Sequence, residues 1–328
     1  MRAVGVSRTG GPEVLSYTEV PEPEPDADGV LIKSEAIGVN FIDTHFRSGR
    51  YPKALPFTPG NEVAGTVVSV GSHVSTVQAG DRVATADAVG AYAEYCVTPA
   101  AFAAHVPDDI ASDVAAASLL KGLTAHFLIN SAYRVKPGDT ILLHAGAGGV
   151  GLILTQWATS VGARVITTTS TPAKADRSRQ AGAAHVLDYP ADPAEFGSVI
   201  RELTHGRGVA AVYDGVGRTT FDASLASLAI RGTLVLFGAA SGPVPPVDPQ
   251  RLNTAGSVYL TRPLRSHFNR TYHEFAWRAT ELFRAIGSGT VEPSIGQRYA
   301  LADAAQAHRD LESRKTRGST LLMPPASS

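Results

Sequence analysis

The sequence predicts an α/β protein in which a doubly wound parallel sheet is joined to a smaller β-rich domain. Three observations predict it. Strand-like and helix-like segments alternate between about residues 125 and 260. Short β-branched runs fill the chain before about residue 120. A glycine-rich turn at G-x-G-x-x-G spacing lies between an apolar strand and a helix. A chain of 328 residues is too long for one ordinary core, so these patterns are divided between two domains.

The β-rich part comes first. Val30-Leu31-Ile32-Lys33, the run from Gly65 to Val70, Arg82-Val83-Ala84 and Ala93-Glu94-Tyr95-Cys96-Val97 are bounded by Gly, Pro and Asp and read as strands of a barrel or sandwich. Pro21, Pro23 and Pro25 alternate with Glu22 and Glu24, which denies that stretch a hydrogen-bonded ladder and makes it an extended connector. The strands of the parallel sheet are expected at Ile141–His144, Arg164–Thr168, His185–Leu187, Val209–Tyr213, Thr233–Phe237 and Val258–Leu260. Leu152–Ser160 and Phe221–Leu228 carry helical spacing between them, the pattern of right-handed crossovers. Beyond about residue 261, helices are expected around Glu274–Ile286 and near Ala302–Arg314. The apolar run Thr320-Leu321-Leu322-Met323 then rejoins the first domain's sheet.

Composition narrows the function. Hydrophobic residues make up 44% and charged residues 18%, as in a packed globular protein. A net charge of −1 and a pI near 6.8 provide no global basic field for nucleic acid or anionic lipid, so small molecules or further copies of the chain are the expected partners. The single cysteine, Cys96, has no intramolecular disulfide partner and falls in a strand that would bury it. The apolar run Val114–Leu120 is interrupted at Lys121, far short of the roughly 20 residues that cross a bilayer. No signal-peptide pattern follows Met1-Arg2, and a cytoplasmic protein is expected.

The strongest chemical motif is Thr140-Ile141-Leu142-Leu143-His144-Ala145-Gly146-Ala147-Gly148-Gly149-Val150-Gly151. Glycines there let the backbone approach a pyrophosphate, and the helix N-terminus offers it unpaired N–H groups and a positive dipole end. A merely structural turn is the competing reading, and the strands that follow weigh against it. Sites for NADH place an acid about 20 residues on, to hold the ribose 2′-hydroxyl. Here the second strand ends Thr167-Thr168-Thr169-Ser170-Thr171 without one, and Thr169, Ser170 and Lys174 suit a 2′-phosphate instead. NADPH is the cofactor expected, with a solvated helix residue as the plain alternative for Lys174.

At this point the chain resembles the quinone oxidoreductases, the zeta-crystallin-like branch of the medium-chain dehydrogenases and reductases. Gly10-Gly11-Pro12-Glu13-Val14-Leu15, Ala36-Ile37-Gly38-Val39-Asn40-Phe41-Ile42-Asp43, Arg47-Ser48-Gly49 with Tyr51-Pro52, and Lys121-Gly122-Leu123-Thr124 carry the resemblance. It continues through Ala147-Gly148-Gly149-Val150-Gly151, Val212-Tyr213-Asp214-Gly215-Val216-Gly217 and Thr261-Arg262-Pro263. It implies a GroES-like catalytic domain from residues 1–124 and 261–328, a Rossmann domain from 125–260, NADPH in the cleft, and a homodimer. Related alcohol dehydrogenases hold zinc. Where that group has its first cysteine this chain has Asn40, where it has the histidine of Gly-His-Glu this chain has Asn61, and Leu120 stands near a later cysteine. No metal is expected.

The same resemblance assigns Asn40, Tyr51 and Thr124 to the nicotinamide and substrate pocket, with Arg262 approaching it from the far segment. It places His45 where close relatives often carry tyrosine. The amide of Asn40 both donates and accepts, Tyr51 offers a ring face and a phenol, and Thr124 can bond a carboxamide. Cofactor contacts are implied at Gly148, Gly149, Val150 and Gly151 for the pyrophosphate, and at Lys174 and Tyr189 for the adenosine phosphate. Phe237, Gly238 and Arg314 complete the implied set. Packing is the plain alternative throughout, and for Arg314, beside Lys315 and Arg317, it is a solvated basic face.

The activity implied is hydride transfer from NADPH to a quinone, whose conjugated ring spreads the incoming charge without a Lewis acid. Reduction of an enone, enal or enoyl thioester by the same cofactor is the competing enzyme reading. A non-catalytic, crystallin-like or RNA-binding protein is the competing reading of another class, and near-neutral charge argues against RNA.

Overall fold

The computed structural model describes residues 1–313 and 315–325. They fall into two compact units. Met1–Lys121, Thr271–Gly289 and the chain from Pro293 onward make the first, and Gly122–Arg270 with Thr290–Glu292 makes the second.

Strands β1 (Arg2–Val6) and β2 (Leu15–Glu19) form an antiparallel ribbon. Strand β3 (Gly29–Val39) runs into helix α1 (Phe41–Arg47). Strands β4 (Glu62–Val70), β5 (Arg82–Thr85), β6 (Tyr95–Pro99) and β7 (Ala104–His105) follow, and helix α2 (Ser112–Phe127) leads onward. The second unit then alternates β8 (Thr140–Leu143), α3 (Gly149–Ser160), β9 (Arg164–Thr169), α4 (Pro172–Gln180), β10 (His185–Asp188), α5 (Pro193–Leu203), β11 (Val209–Asp214) and α6 (Phe221–Ser227). It closes with β12 (Leu228–Leu236), α7 (Pro249–Thr254), β13 (Tyr259–Thr261) and α8 (Arg265–Phe268). Helix α9 (Tyr272–Gly287), strand β14 (Ile295–Ala300), helix α10 (Ala304–Glu312) and strand β15 (Ser319–Met323) return to the first unit.

In the first unit one sheet runs β14-β15-β3-β4-β5-β7, with β6 also paired to β3. Strand β15 enters between β14 and β3, parallel to the one and antiparallel to the other, with Thr320 opposite Val39 and Leu322 opposite Ile37. The apolar run expected to rejoin this sheet does so. Val30, Ile32, Ile37, Val63, Val83 and Leu322 are all inaccessible, and each such side chain contributes ~1.5–3 kcal/mol on leaving water. Cys96 is buried in β6 as its sequence context suggested.

In the second unit six parallel strands run β10-β9-β8-β11-β12-β13. Ile141, Leu142 and Leu143 are 0% exposed, because crossover helices cover both faces of a parallel sheet and leave no solvated side for a polar residue. Chain order reverses between β8 and β11, and ligands of such sheets bind beyond the carboxyl ends of the strands at that switch. The segment after β13 stays with this unit, Phe268 stacking on Phe127 with ring centroids 4.7 Å apart. Helix α2 carries Lys121 within it and runs on to Phe127. Among the described residues no helix is long and apolar enough to cross a membrane.

Candidate active site

The first unit gathers polar side chains where β3 hands over to α1. Asn40 is the N-cap of that helix, and it exchanges bonds with the third helical residue. Its N–H donates to Asp43 Oδ2 at 2.9 Å, and its carbonyl accepts from the Asp43 N–H at 3.0 Å. Its side chain is turned inward at both ends. Nδ2 donates to Glu62 Oε2 at 2.9 Å, and Oδ1 accepts from Lys121 Nζ at 2.9 Å. Lys121 also bonds Glu62 Oε2 at 2.8 Å, and the Leu120 N–H takes the other carboxylate oxygen at 2.7 Å. Glu62 is wholly buried and Lys121 nearly so. Gly38 makes room for the pair: a Cβ there would lie 2.1 Å from Glu62 Oε2 and 2.8 Å from the Ala116 carbonyl. The amide of Asn40, read from sequence as both donor and acceptor, spends one of each on this ion pair.

Behind Asn40 a second chain of bonds crosses the core. Tyr92 donates to Asp43 Oδ2 at 3.1 Å and meets His308 Nε2 at 3.0 Å. His308 Nδ1 meets Arg47 Nη1 at 3.1 Å, and Arg47 is paired with Glu312 at 2.6 Å. Arginine only donates, so Nδ1 of His308 accepts and Nε2 carries the ring proton toward the Tyr92 oxygen. Burial, reinforced by Arg47, pushes His308 down to about 3. Burial pushes Asp43 up to about 7, against the bonds from Asn40 and Tyr92, and its Oδ1 has no hydrogen-bond partner. Tyr51, 38% exposed, sits edge-on to His45 at 5.2 Å and to Phe46 at 5.9 Å. The half-buried His45 is held below its ordinary value by burial and by Arg50, with Glu312 opposing.

In the second unit the turn after β8 has the geometry its glycines suggested. A Cβ on Gly151 would lie 2.4 Å from the Ala145 carbonyl, so that glycine lets helix α3 pack on the turn. A Cβ on Gly148 would meet only that carbonyl, at a tight 3.3 Å, with no other atom within 4 Å. Gly148 is the N-cap of α3, and no side chain takes up the first N–H groups of the helix, with Gly149, Val150 and Gly151 in its first turn. That cradle fits a pyrophosphate. Strand β9 ends at the buried Thr169. Ser170 is exposed, Thr171 caps α4 by accepting from the Lys174 N–H at 3.3 Å, and Lys174 is half-buried. Tyr189 lies nearly parallel to His144 with centroids 6.4 Å apart. The Phe237 ring covers Gly215, where a Cβ would be 2.8 Å from Cζ, and Gly238 follows, its N–H on the Asp214 carbonyl at 3.3 Å.

A polar belt that sequence reasoning passed over ties these strand ends together. His144 Nδ1 meets Thr168 Oγ1 at 2.9 Å and Nε2 meets Ser224 Oγ at 3.0 Å. Ser224 Oγ donates in turn to Asp214 Oδ2 at 2.8 Å. Asp214 also accepts the N–H groups of Val216 and Gly217 at 2.8 and 2.9 Å, which fixes the loop under Phe237. Burial holds His144 below its ordinary value, so the neutral imidazole links β8 and β9 to α6. Thr124 is half-buried on α2, Arg262 is exposed with Nη1 donating to the Pro263 carbonyl at 3.3 Å, and Arg314 lies outside the described residues.

Residues 149–282 match the family described as zinc-binding dehydrogenase, and residues 26–108 the alcohol dehydrogenase GroES-like domain. A GroES-like unit with a Rossmann unit is the architecture of the medium-chain dehydrogenases and reductases. Within that class, a quinone oxidoreductase of Pseudomonas aeruginosa is 45% identical over 317 residues, covering 96% of this chain and 97% of that one. A mycobacterial protein solved with NADPH is 64% identical, with a TM-score of 0.97 over 99% of this chain and 100% of that chain. A 2-haloacrylate reductase of a Burkholderia species is 38% identical over 99% of each. The chain belongs to the quinone oxidoreductase family. The zinc in the first family description does not fit it: Asn40 is engaged by Lys121 and Glu62, and among the described residues no three His, Cys, Asp or Glu side chains are grouped to hold an ion.

Proposed function

We propose that this protein is an NADPH-dependent quinone reductase that works without a metal. The observation that carries the reading is the full-length match to a quinone oxidoreductase, joined to a cofactor cradle whose second strand is followed by hydroxyls and, on α4, a lysine instead of an acid. NADPH, when bound, supplies the hydride. Gly148, Gly149, Val150 and Gly151 hold its pyrophosphate against the start of α3, and Thr169, Ser170 and Lys174 receive the 2′-phosphate. Tyr189, Phe237 and Gly238 border the nucleotide, and Arg314 is assigned to it by resemblance.

In the first unit Asn40 and Tyr51 are assigned to the acceptor, one through its remaining N–H and the other through ring and phenol, with His45 behind Tyr51. In the second unit Thr124 and Arg262 are assigned to the nicotinamide and acceptor. A quinone accepts hydride into a delocalised system, so alignment and a few hydrogen bonds suffice. The reading includes a homodimer and the cytoplasm. Among the described residues strand β13 pairs only with β12, with Tyr259 62% exposed on it and Ile230 79% exposed on β12, and the one cysteine is buried and unpaired.

The test is loss of NADPH absorbance with benzoquinone, phenanthrenequinone and an α,β-unsaturated ketone in parallel, with NADH and EDTA controls. Quinone turnover that prefers NADPH and survives EDTA is expected. Turnover of the enone alone would move the assignment to the second reading, reduction of an activated carbon–carbon double bond, which the 2-haloacrylate reductase relative favours. Silence toward every acceptor would overturn both. A dimer is checked by light scattering.

A further inference from the structure

We propose that Lys121 and Glu62 are positioning residues that determine which end of the Asn40 amide carries nitrogen, and so which hydrogen-bonding group each side of that amide offers an acceptor. The inference rests on the reading of Asn40 as an acceptor-binding residue. The two ends of an asparagine amide have nearly the same shape, so packing alone cannot select between them. Charge can. An ammonium only donates and an ionised carboxylate only accepts. Lys121 Nζ stands 2.9 Å from Oδ1, and Glu62 Oε2 stands 2.9 Å from Nδ2. Turning the amide over would set NH2 against the ammonium and the carbonyl against the carboxylate, trading two charge-assisted bonds for two repulsive contacts.

The backbone of Asn40 is held separately by Asp43, so the ion pair acts on the side chain alone and fixes its amide against the flip. One Nδ2 hydrogen, on the Glu62 side, and one Oδ1 lone pair, on the Lys121 side, remain for a ligand. The pair is costly where it stands. Neighbours Ala115, Ala116, Ala117, Leu119 and Leu123 on α2 are 0% exposed, and an apolar residue at 121 would pack there without the desolvation penalty of a buried ion pair. Orienting Asn40 is the role that accounts for it.

The test combines Glu62→Gln with Lys121→Met, which removes both charges together. The new glutamine side chain keeps an oxygen for the Leu120 N–H and turns its NH2 to Asn40, where only the carbonyl can accept, so the amide reverses. A fall in kcat for quinone of about tenfold to a hundredfold is expected, with KM for NADPH unchanged. Lys121→Arg retains a donor-only cation and is expected to hold kcat within a few-fold of the parent. Asparagine-selective isotope labelling reads the flip without turnover: one side-chain amide proton of Asn40 exchanges slowly in the unsubstituted protein and fast in the double variant. Unchanged kcat in the double variant, equal losses in the double variant and Lys121→Arg, or fast exchange of both Asn40 protons in the parent would each overturn the proposal. A parent that reduces no quinone overturns the proposed function, and the exchange measurement still decides the orientation.

Discussion

Replacing His308 with glutamine should remove a loss of stability that the parent suffers in weak acid through this histidine. In the folded chain His308 sits near 3 against an ordinary 6.5, and Asp43 near 7 against an ordinary 3.8. His308 is depressed, so its contribution is whole above its unfolded value and is lost as pH falls toward its folded one. Asp43 is raised, so its contribution is whole below its unfolded value and is lost as pH rises through its folded one. Between about pH 7 and pH 5 the first removes, and the second adds, about 2 kcal/mol, so the two nearly cancel. Glutamine keeps the bond polarity, its oxygen accepting from Arg47 and its NH2 donating to Tyr92, but it does not titrate. Urea unfolding should then show the variant gaining on the parent by about 2 kcal/mol from pH 7 to pH 5, with unchanged m-values. Parallel pH profiles for the two proteins would refute the placement of these protons.

Four further outcomes follow from the geometry. Gly151→Ala forces a Cβ against the Ala145 carbonyl and should cost about 1–3 kcal/mol of stability, read by urea unfolding. Gly148→Ala meets only the Ala145 carbonyl, at a tight 3.3 Å, and should cost about 0.5–1 kcal/mol, less than Gly151→Ala, while weakening NADPH in a fluorescence titration. Lys174→Ala should raise KM for NADPH about tenfold or more and leave KM for NADH alone, since only one cofactor carries the phosphate. Cys96, pushed up to about 12 by burial, is a thiolate at only about one part in ten thousand at pH 8, so it should resist iodoacetamide until the protein is unfolded in denaturant.

The cofactor half was legible because its signals are local. A strand buried on both faces must be apolar throughout, as Ile141 to Leu143 are, and the glycines after it stand where backbone approaches backbone. The absent acid after β9 could be read from five consecutive residues. The polar clusters were not legible because their partners are distant in the chain. Lys121 is 59 residues from Glu62 and 81 from Asn40, and His308 is 216 from Tyr92, separations that leave no periodic trace. In the sequence Lys121 therefore shows only as a charge that ends an apolar run, with nothing to name Glu62 and Asn40 as its partners. A usable hint was present: single charges at Asp43, Glu62 and Lys121 stand within otherwise apolar stretches, where a charge is tolerated only with a partner. The histidines His126, His144 and His308 are all buried too.

The placement of β15 has a consequence for how the molecule is made. The second unit is nearly contiguous, and its sheet can close as soon as residues up to β13 have emerged from the ribosome. The stretch of β3 just before Asn40 is different, because Ile37, Gly38 and Val39 pair with Leu322, Leu321 and Thr320. Until those late residues are synthesised, that edge of β3 offers unpaired N–H and C=O groups to any other strand it meets. The nascent chain can thus hold a formed cofactor domain while the carrier of Asn40 is still open, and a ribosome stalled before residue 319 would display a sticky strand beside a finished nucleotide fold.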